Sequence, residues 1–297
     1  MMIQTALVTT LCAPFALGAA GIALAGRTKR VSLPGFLFHS IDSKHPLTMS
    51  SMPHKAFTGI VNGLKAAGYC SIPLHQASSP TDTPDKAGKK LLITFDDGFH
   101  SFYTQALPVL DTCGFKVTLF PVAGYLGRTS TWDVLPPFRH LSSEELRAIS
   151  DLGHEIGSHT MTHADCTFLN ARNLTAELRD SKRLLEDIIA RPVTALSFPF
   201  GSWNRRVWET ALEAGYSRAA IYRGHRHASP CLFPVYGVYR FDTPESVLAR
   251  IRPRFPLSLS LTLATLMRQF ARGAPLWKFR KEYEVAPRTV NPLPESP

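Results

Sequence analysis

Leu91-Leu-Ile-Thr-Phe-Asp-Asp-Gly98 is the stretch on which the reading of this chain turns. From Leu91 to Phe95 the residues are apolar or β-favouring with no charge among them, which predicts a buried strand, and the run stops at two carboxylates and a glycine. Adjacent carboxylates repel, and burying either is costly unless a cation, a proton or hydrogen-bond donors compensate it. A metal ion is the simplest compensation. Taken alone, Asp-Asp-Gly could equally be a turn that ends a strand.

A second stretch shifts that balance. His154-Glu-Ile-Gly-Ser-His-Thr-Met-Thr-His163 supplies imidazoles at His159 and His163, a four-residue spacing that lets both rings converge on one point. Two histidines and one carboxylate make a three-ligand metal site with room for water. Either histidine by itself could be a surface or core residue; behind a second strand and beside Asp96 and Asp97, the joint pattern points to metal chemistry.

Thr94-Phe-Asp-Asp-Gly98 and Ser158-His-Thr-Met-Thr-His163 resemble the first two motifs of the polysaccharide deacetylases, the NodB-homology domain of carbohydrate esterase family 4. The resemblance covers about Pro34 to Phe241. It implies an α/β fold, a distorted (β/α)7-type barrel forming a single catalytic domain. It also implies that Asp96 is the general base and that Asp97, His159 and His163 hold a divalent metal, Zn2+. Ser197-Phe-Pro-Phe-Gly201 is similar to the third motif, Arg-x-Pro-Tyr, with two departures. Phe200 replaces the tyrosine whose backbone N–H serves the oxyanion hole and supplies the same donor. Ser197 stands where many members carry an arginine that orients the base, and Arg240 is a candidate for the missing cation unless it pairs with Asp242 instead. Leu37-Phe-His39-Ser-Ile41 resembles the N-terminal acid motif of the circularly permuted poly-N-acetylglucosamine deacetylases, which makes His39 the candidate acid. His225 and His227 are alternatives, in a loop that reads as solvated.

Composition bounds the rest. A chain of 297 residues, 44% hydrophobic, suits one large α/β domain at 31–255 with appendages at 1–30 and 256–297. Met1 to Gly26 holds no charge and Leu7 to Ala25 is nearly all apolar or small, the length of a membrane anchor or signal segment; a buried helix of the domain would read similarly. Arg27, Lys29 and Arg30 follow at once, which by the positive-inside rule leaves the rest in the cytoplasm, whereas exported relatives point outward. Leu257 to Phe270, set among Arg250, Arg252, Arg254, Arg268 and Arg272, suits either a membrane-surface segment or a helix packed on the barrel. The net charge of +10 favours an anionic partner, and no nucleic-acid module is present. Five scattered cysteines form no disulfide framework and read as packing residues.

Between the motifs, strand and helix alternate, which implies a parallel sheet. Phe57, Ile60, Val61 and Leu64 predict a helix closed by Gly68, and Phe102 to Leu110 another closed by Gly114. Ser142 with Glu145 predicts a capping box, and Leu174 to Ile189 a long amphipathic helix ended by Pro192. Strands are expected at Gly35–His39, Lys116–Pro121, Val193–Gly201 and Ala219–Tyr222, with a further one near Val238–Phe241. Gly124 to His140 reads as an irregular aromatic loop beside the site. The function that follows is metal-dependent hydrolysis of a carbon–nitrogen bond other than a peptide bond: removal of N-acetyl groups from an amino-sugar glycan. A deformylase or amidase acting on a lipid-linked sugar, and a glycan-binding protein with little turnover, are the alternatives.

Overall fold

A computed structural model describes residues 33–42, 48–80, 89–130, 138–222 and 229–251. The apolar N-terminal segment, Trp132, His225, His227 and the arginine- and leucine-rich C-terminal extension lie outside the described residues. No described helix is long and apolar enough to cross a membrane.

In chain order the elements are β1 (Gly35–Phe38), β2 (Ser40–Ile41), β3 (Ser51–Met52), α1 (His54–Ala66), β4 (Tyr69–Ile72), β5 (Lys89–Asp97), α2 (Leu107–Cys113) and β6 (Thr118–Pro121). There follow α3 (Ser143–Asp151), β7 (Glu155–Ile156), α4 (Ala171–Ile189), β8 (Ala195–Ser197), α5 (Arg205–Glu213), β9 (Arg218–Tyr222), β10 (Leu232–Gly237) and α6 (Pro244–Ile251). The main sheet runs β7-β6-β5-β1-β10-β9-β8, with β4 also paired to β5, and every pairing is parallel. Just past β7, Ser158 bridges to Leu196 of β8 and so joins the two ends. Ser158 N–H donates to Ala195 O at 2.9 Å and Ser197 N–H donates to Ser158 O at 2.9 Å. The sheet is thereby a nearly closed barrel with helices outside it, as the motif order implied.

The strands alternate between two cores. Phe36, Phe38, Leu91, Ile93, Phe95, Leu119, Leu196 and Ile221 belong to the larger cluster, between barrel and helices. Leu37, Leu92, Phe120, Ala195, Ala220 and Phe233 belong to a smaller one, which fills the interior. Because side chains alternate along a strand, residues two beyond an interior position also face inward. That rule puts His39 above Leu37, Asp96 above Thr94 and Leu92, Ser197 above Ala195, and Tyr222 above Ala220. At the carboxyl ends of the strands the apolar filling therefore gives way to a polar layer, where an α/β barrel carries its site.

The helices form where their caps and stripes require. The Ser142 side chain accepts from Glu145 N–H while Glu145 accepts from Ser142 N–H, the expected capping box. In α4, Leu174, Leu178, Leu185 and Ile189 are buried; the helix stops at Ala190 in the left-handed region, ahead of Pro192. Gly68 and Gly114 both turn at positive φ, as expected of helix ends. Three expectations differ from the structure. The segment from Phe102 begins as a π-helix, Phe102–Ala106, and becomes α-helical only at Leu107, beside Pro108, which has no N–H to give. Within Val193–Gly201 only Ala195–Ser197 is strand, because Pro199 opens a tight turn. The last strand is Leu232–Gly237, not the segment around Arg240: Val238 N–H still donates to Leu37 O, after which the chain turns. Cys70, Cys113, Cys166 and Cys231 are free; Cys166 is buried as a packing residue, whereas Cys70 is exposed.

The barrel seam is tight at Gly157, where a Cβ would stand 2.4 Å from Phe120 Cε1 and 2.9 Å from Ala195 O. Gly157→Ala is expected to lower unfolding free energy by about 1–3 kcal/mol through overpacking, measurable by urea denaturation. An unchanged midpoint would show that the seam can open at no cost.

Candidate metal centre

Asp97 ends β5 with φ 68, and Gly98 N–H donates to Asp96 O at 2.9 Å, closing a γ-turn around it. Such positive-φ turns are rare and strained, of order 1–3 kcal/mol for a residue with a side chain. The neighbouring Gly98 has no such choice of residue: its φ is 71 and a Cβ would lie 2.6 Å from Pro121 Cβ. The turn aims the Asp97 carboxylate at the loop after β7. That loop is itself left-handed at Thr160 (φ 66) and His163 (φ 62), so its two histidines return to one point without forming a helix.

The three side chains meet there. Asp97 Oδ1 lies 3.5 Å from His159 Nε2 and 3.4 Å from His163 Nε2, and one ligand atom from each residue falls within 4.8 Å of the others. Asp97 and His159 are buried, and Asp97 Oδ1 has no hydrogen-bond partner. A buried carboxylate oxygen confronted by two ring nitrogens is the donor set of a divalent cation, so these residues fit a metal. His159 Nδ1 donates to Ser197 O at 2.9 Å, which places the ring hydrogen on Nδ1 and leaves the Nε2 lone pair turned inward. Burial pushes the His159 pKa down to about 3, with His163 acting in the same direction, so the ring is neutral as a ligand must be. Burial disfavours the Asp97 carboxylate, but the close approach of His163 above all, together with His39 and His159, outweighs it and holds its pKa below the ordinary range.

Asp96 stands beside this group, Oδ2 at 3.9 Å from His159 Nε2. Burial and the adjacent Asp97 charge push its pKa well up, while the Ser197 hydroxyl, donating to Oδ2 at 2.9 Å, opposes them. Ser197 thus does with a neutral hydrogen bond what the expected arginine would do with a charge, and its carbonyl also holds His159. The Arg240 guanidinium reaches Ser51 O at 3.3 Å. Asp242 is paired by Arg250 in the protein interior. Phe200 turns at φ 60 between Pro199 and Gly201, its ring edge-on to His163 with centroids 4.8 Å apart. His39 is largely buried; burial lowers its pKa, with Asp97 raising and His163 lowering it through space.

Two supports escaped the sequence reading. Glu177, on the face of α4 turned to the loop, accepts from Met161 N–H and Thr162 N–H, both at 2.9 Å, and from the Thr162 hydroxyl at 2.6 Å. His140, fully buried, has its Nδ1 2.9 Å from Asp97 O, and burial pushes its pKa down to about 4. Neither pairing has a local signal, since α4 and the loop before α3 reach the site only through the fold.

Residues 83–219 match the family model described as polysaccharide deacetylase. The chain contains a polysaccharide deacetylase domain. Among curated relatives of this deacetylase domain, the Bacillus subtilis protein YxkH, which bears a polysaccharide deacetylase name, is 31% identical over 189 residues, or 63% of each chain. The peptidoglycan-N-acetylglucosamine deacetylase of Bacillus cereus is 32% identical over 129 residues, 43% of this chain and 54% of that one. The chain thus spans less than two thirds of the length of either relative. The solved Streptococcus pyogenes deacetylase PplD shares the fold, with a TM-score of 0.66 at 21% identity over 76% of this chain and 100% of that one.

Glu177 anchors Met161 and Thr162, which lie between the two histidines of the candidate metal group. Glu177→Ala is expected to weaken Zn2+ binding about 10- to 100-fold, read by chelator competition. Unchanged affinity would mean that the loop keeps its shape without the carboxylate.

Proposed function

We propose that the protein is a metal-dependent carbohydrate N-deacetylase that hydrolyses the acetamide of an amino-sugar glycan. The observation that carries this reading is the partnerless Asp97 Oδ1 facing two imidazole nitrogens, with Asp96 held alongside by Ser197. Asp97, His159 and His163 would hold the ion. When bound, a divalent cation such as Zn2+ polarises a carbonyl and lowers the pKa of water to about 7.

The chain's own groups supply the rest. Asp96 takes the proton of the attacking water; Ser197 occupies its Oδ2, so Oδ1, buried and otherwise without a partner, is the atom that receives it. The backbone N–H of Phe200 stabilises the tetrahedral oxyanion, a donor worth about 3–4 kcal/mol in such sites. His39 protonates the departing amine. Burial lowers its pKa, and the nearby Asp97 charge opposes that shift and favours the protonated ring. An acetylated amino sugar is the substrate because it offers a neutral, exposed amide that the family's chemistry cleaves, and the net charge of +10 suits an anionic glycan or surface. The apolar N-terminal segment read from the sequence would keep the enzyme at a membrane.

The test is acetate release from N-acetylglucosamine oligomers by protein stripped of metal and then given Zn2+. Turnover is expected only with metal; Asp96→Asn and His39→Ala should each lose about a hundredfold or more in kcat while still binding it. Metal binding with no acetate from any oligomer would overturn the substrate assignment. Ser197→Ala removes the hydroxyl on Asp96 but keeps the carbonyl on His159. It is expected to lower kcat about tenfold while leaving Zn2+ affinity unchanged, and a parallel fall in both would place Ser197 in the metal site rather than on the base.

A further inference from the structure

Asp97 sits in a conformation that residues with a side chain adopt rarely. The γ-turn at φ 68 directs its carboxylate to the histidines, and relaxation to negative φ would swing Oδ1 away from them. The turn is held through the Asp97 carbonyl. Val122 N–H, just past β6, reaches that oxygen at a long 3.3 Å, and His140 Nδ1 reaches it at 2.9 Å.

His140 is built to stay there. Its residue pairs antiparallel with Phe99, Leu141 N–H donates to Gly98 O at 2.9 Å, and His140 N–H donates to Arg128 O at 2.8 Å. Its ring is fully buried, with centroids 5.0 Å from Phe99 and 5.6 Å from Tyr125. A carbonyl only accepts, so Nδ1 carries the hydrogen and the ring is a directed donor. The loop containing His140 thus grips the turn on both sides, at the Asp97 carbonyl through a side chain and at the Gly98 carbonyl through the backbone.

We propose that His140 is a positioning residue for the metal centre, its Nδ1–H···O=C bond holding Asp97 in the left-handed turn that presents Oδ1 to the ion. The proposal rests on Asp97, His159 and His163 being the ligands. A buried imidazole with only a packing role would serve as well if replaced by another ring, and the two roles are separable by chemistry.

His140→Phe keeps a ring against Phe99 and Tyr125 but removes the donor. His140→Asn loses the ring but keeps an N–H at the position of Nδ1. In the folded full-length protein, judged by circular dichroism, Zn2+ affinity is measured by chelator competition, and the Co2+ derivative's visible absorption reports ligand geometry. His140→Phe is expected to raise Kd about 10- to 100-fold and alter the Co2+ spectrum, while His140→Asn stays near wild type in both. His154→Ala, which removes a buried imidazole bonded to Val117 N–H instead, is expected to leave Kd unchanged. Should His140→Phe not fold, His140→Leu takes its place with the same expectation. Wild-type affinity in the Phe or Leu variant overturns the proposal, as does equal weakening in the Asn variant. Asp97→Ala distinguishes the underlying reading: Zn2+ affinity insensitive to that change overturns the ligand assignment itself.

Discussion

A single buried carboxylate oxygen, Asp97 Oδ1, constrains the mouth of this barrel. Taken out of water between His159 and His163, it has no hydrogen-bond donor of its own, and an ionised carboxylate in that position is tolerated only with a cation or a converging set of imidazoles. Bringing two histidines to that oxygen from one short loop demands positive φ at Thr160 and His163, and presenting the oxygen demands it at Asp97. Three residues with side chains in the left-handed region are a local cost. The surrounding structure offsets it through Glu177 on the loop and His140 on the turn.

The barrel provides the frame in which this is possible. Its interior is packed by Leu37, Leu92, Phe120, Ala195, Ala220 and Phe233, so it is a core and not a pore. Further along the strands the same inward direction carries His39, Asp96 and Ser197, and the closure of the sheet at Ser158–Leu196 brings together β7 and β8, which lead into the second and third motifs. Gly157 marks how little room that closure leaves.

Ser197 shows how a departure from a family pattern is absorbed. A hydroxyl at 2.9 Å orients Asp96 without adding charge, and burial with the neighbouring Asp97 leaves the Asp96 pKa high. Arginine would hold the same carboxylate ionised more firmly. The backbone of Ser197 serves a second purpose that does not depend on its side chain, fixing the tautomer of His159. Asp96 and His159 are therefore tied to one residue of β8 through two different atoms.

The strand–helix alternation, the Ser142 capping box, the Gly68 and Gly114 helix ends and the order of the two motifs are properties of local sequence, because propensity, periodicity and turn chemistry act over a few residues. The same holds for the candidate ligand set, since Asp97 ends an apolar run and His159 and His163 are four apart in one loop. What sequence left open was decided by residues far apart in the chain. By sequence Arg240 is the partner expected for Asp242, two residues away, whereas the packing of α6 brings Arg250 to it. The final strand is Leu232–Gly237 because that segment, not the one around Arg240, pairs with β1 and β9. Glu177 and His140 carry no motif and look like a solvated helix charge and a loop histidine until the fold sets them on the loop and turn that shape the metal centre. Local sequence determined which groups could do the chemistry; long-range pairing decided which neighbours hold them in place, because a hydrogen bond across the barrel depends on contacts that no window of sequence contains.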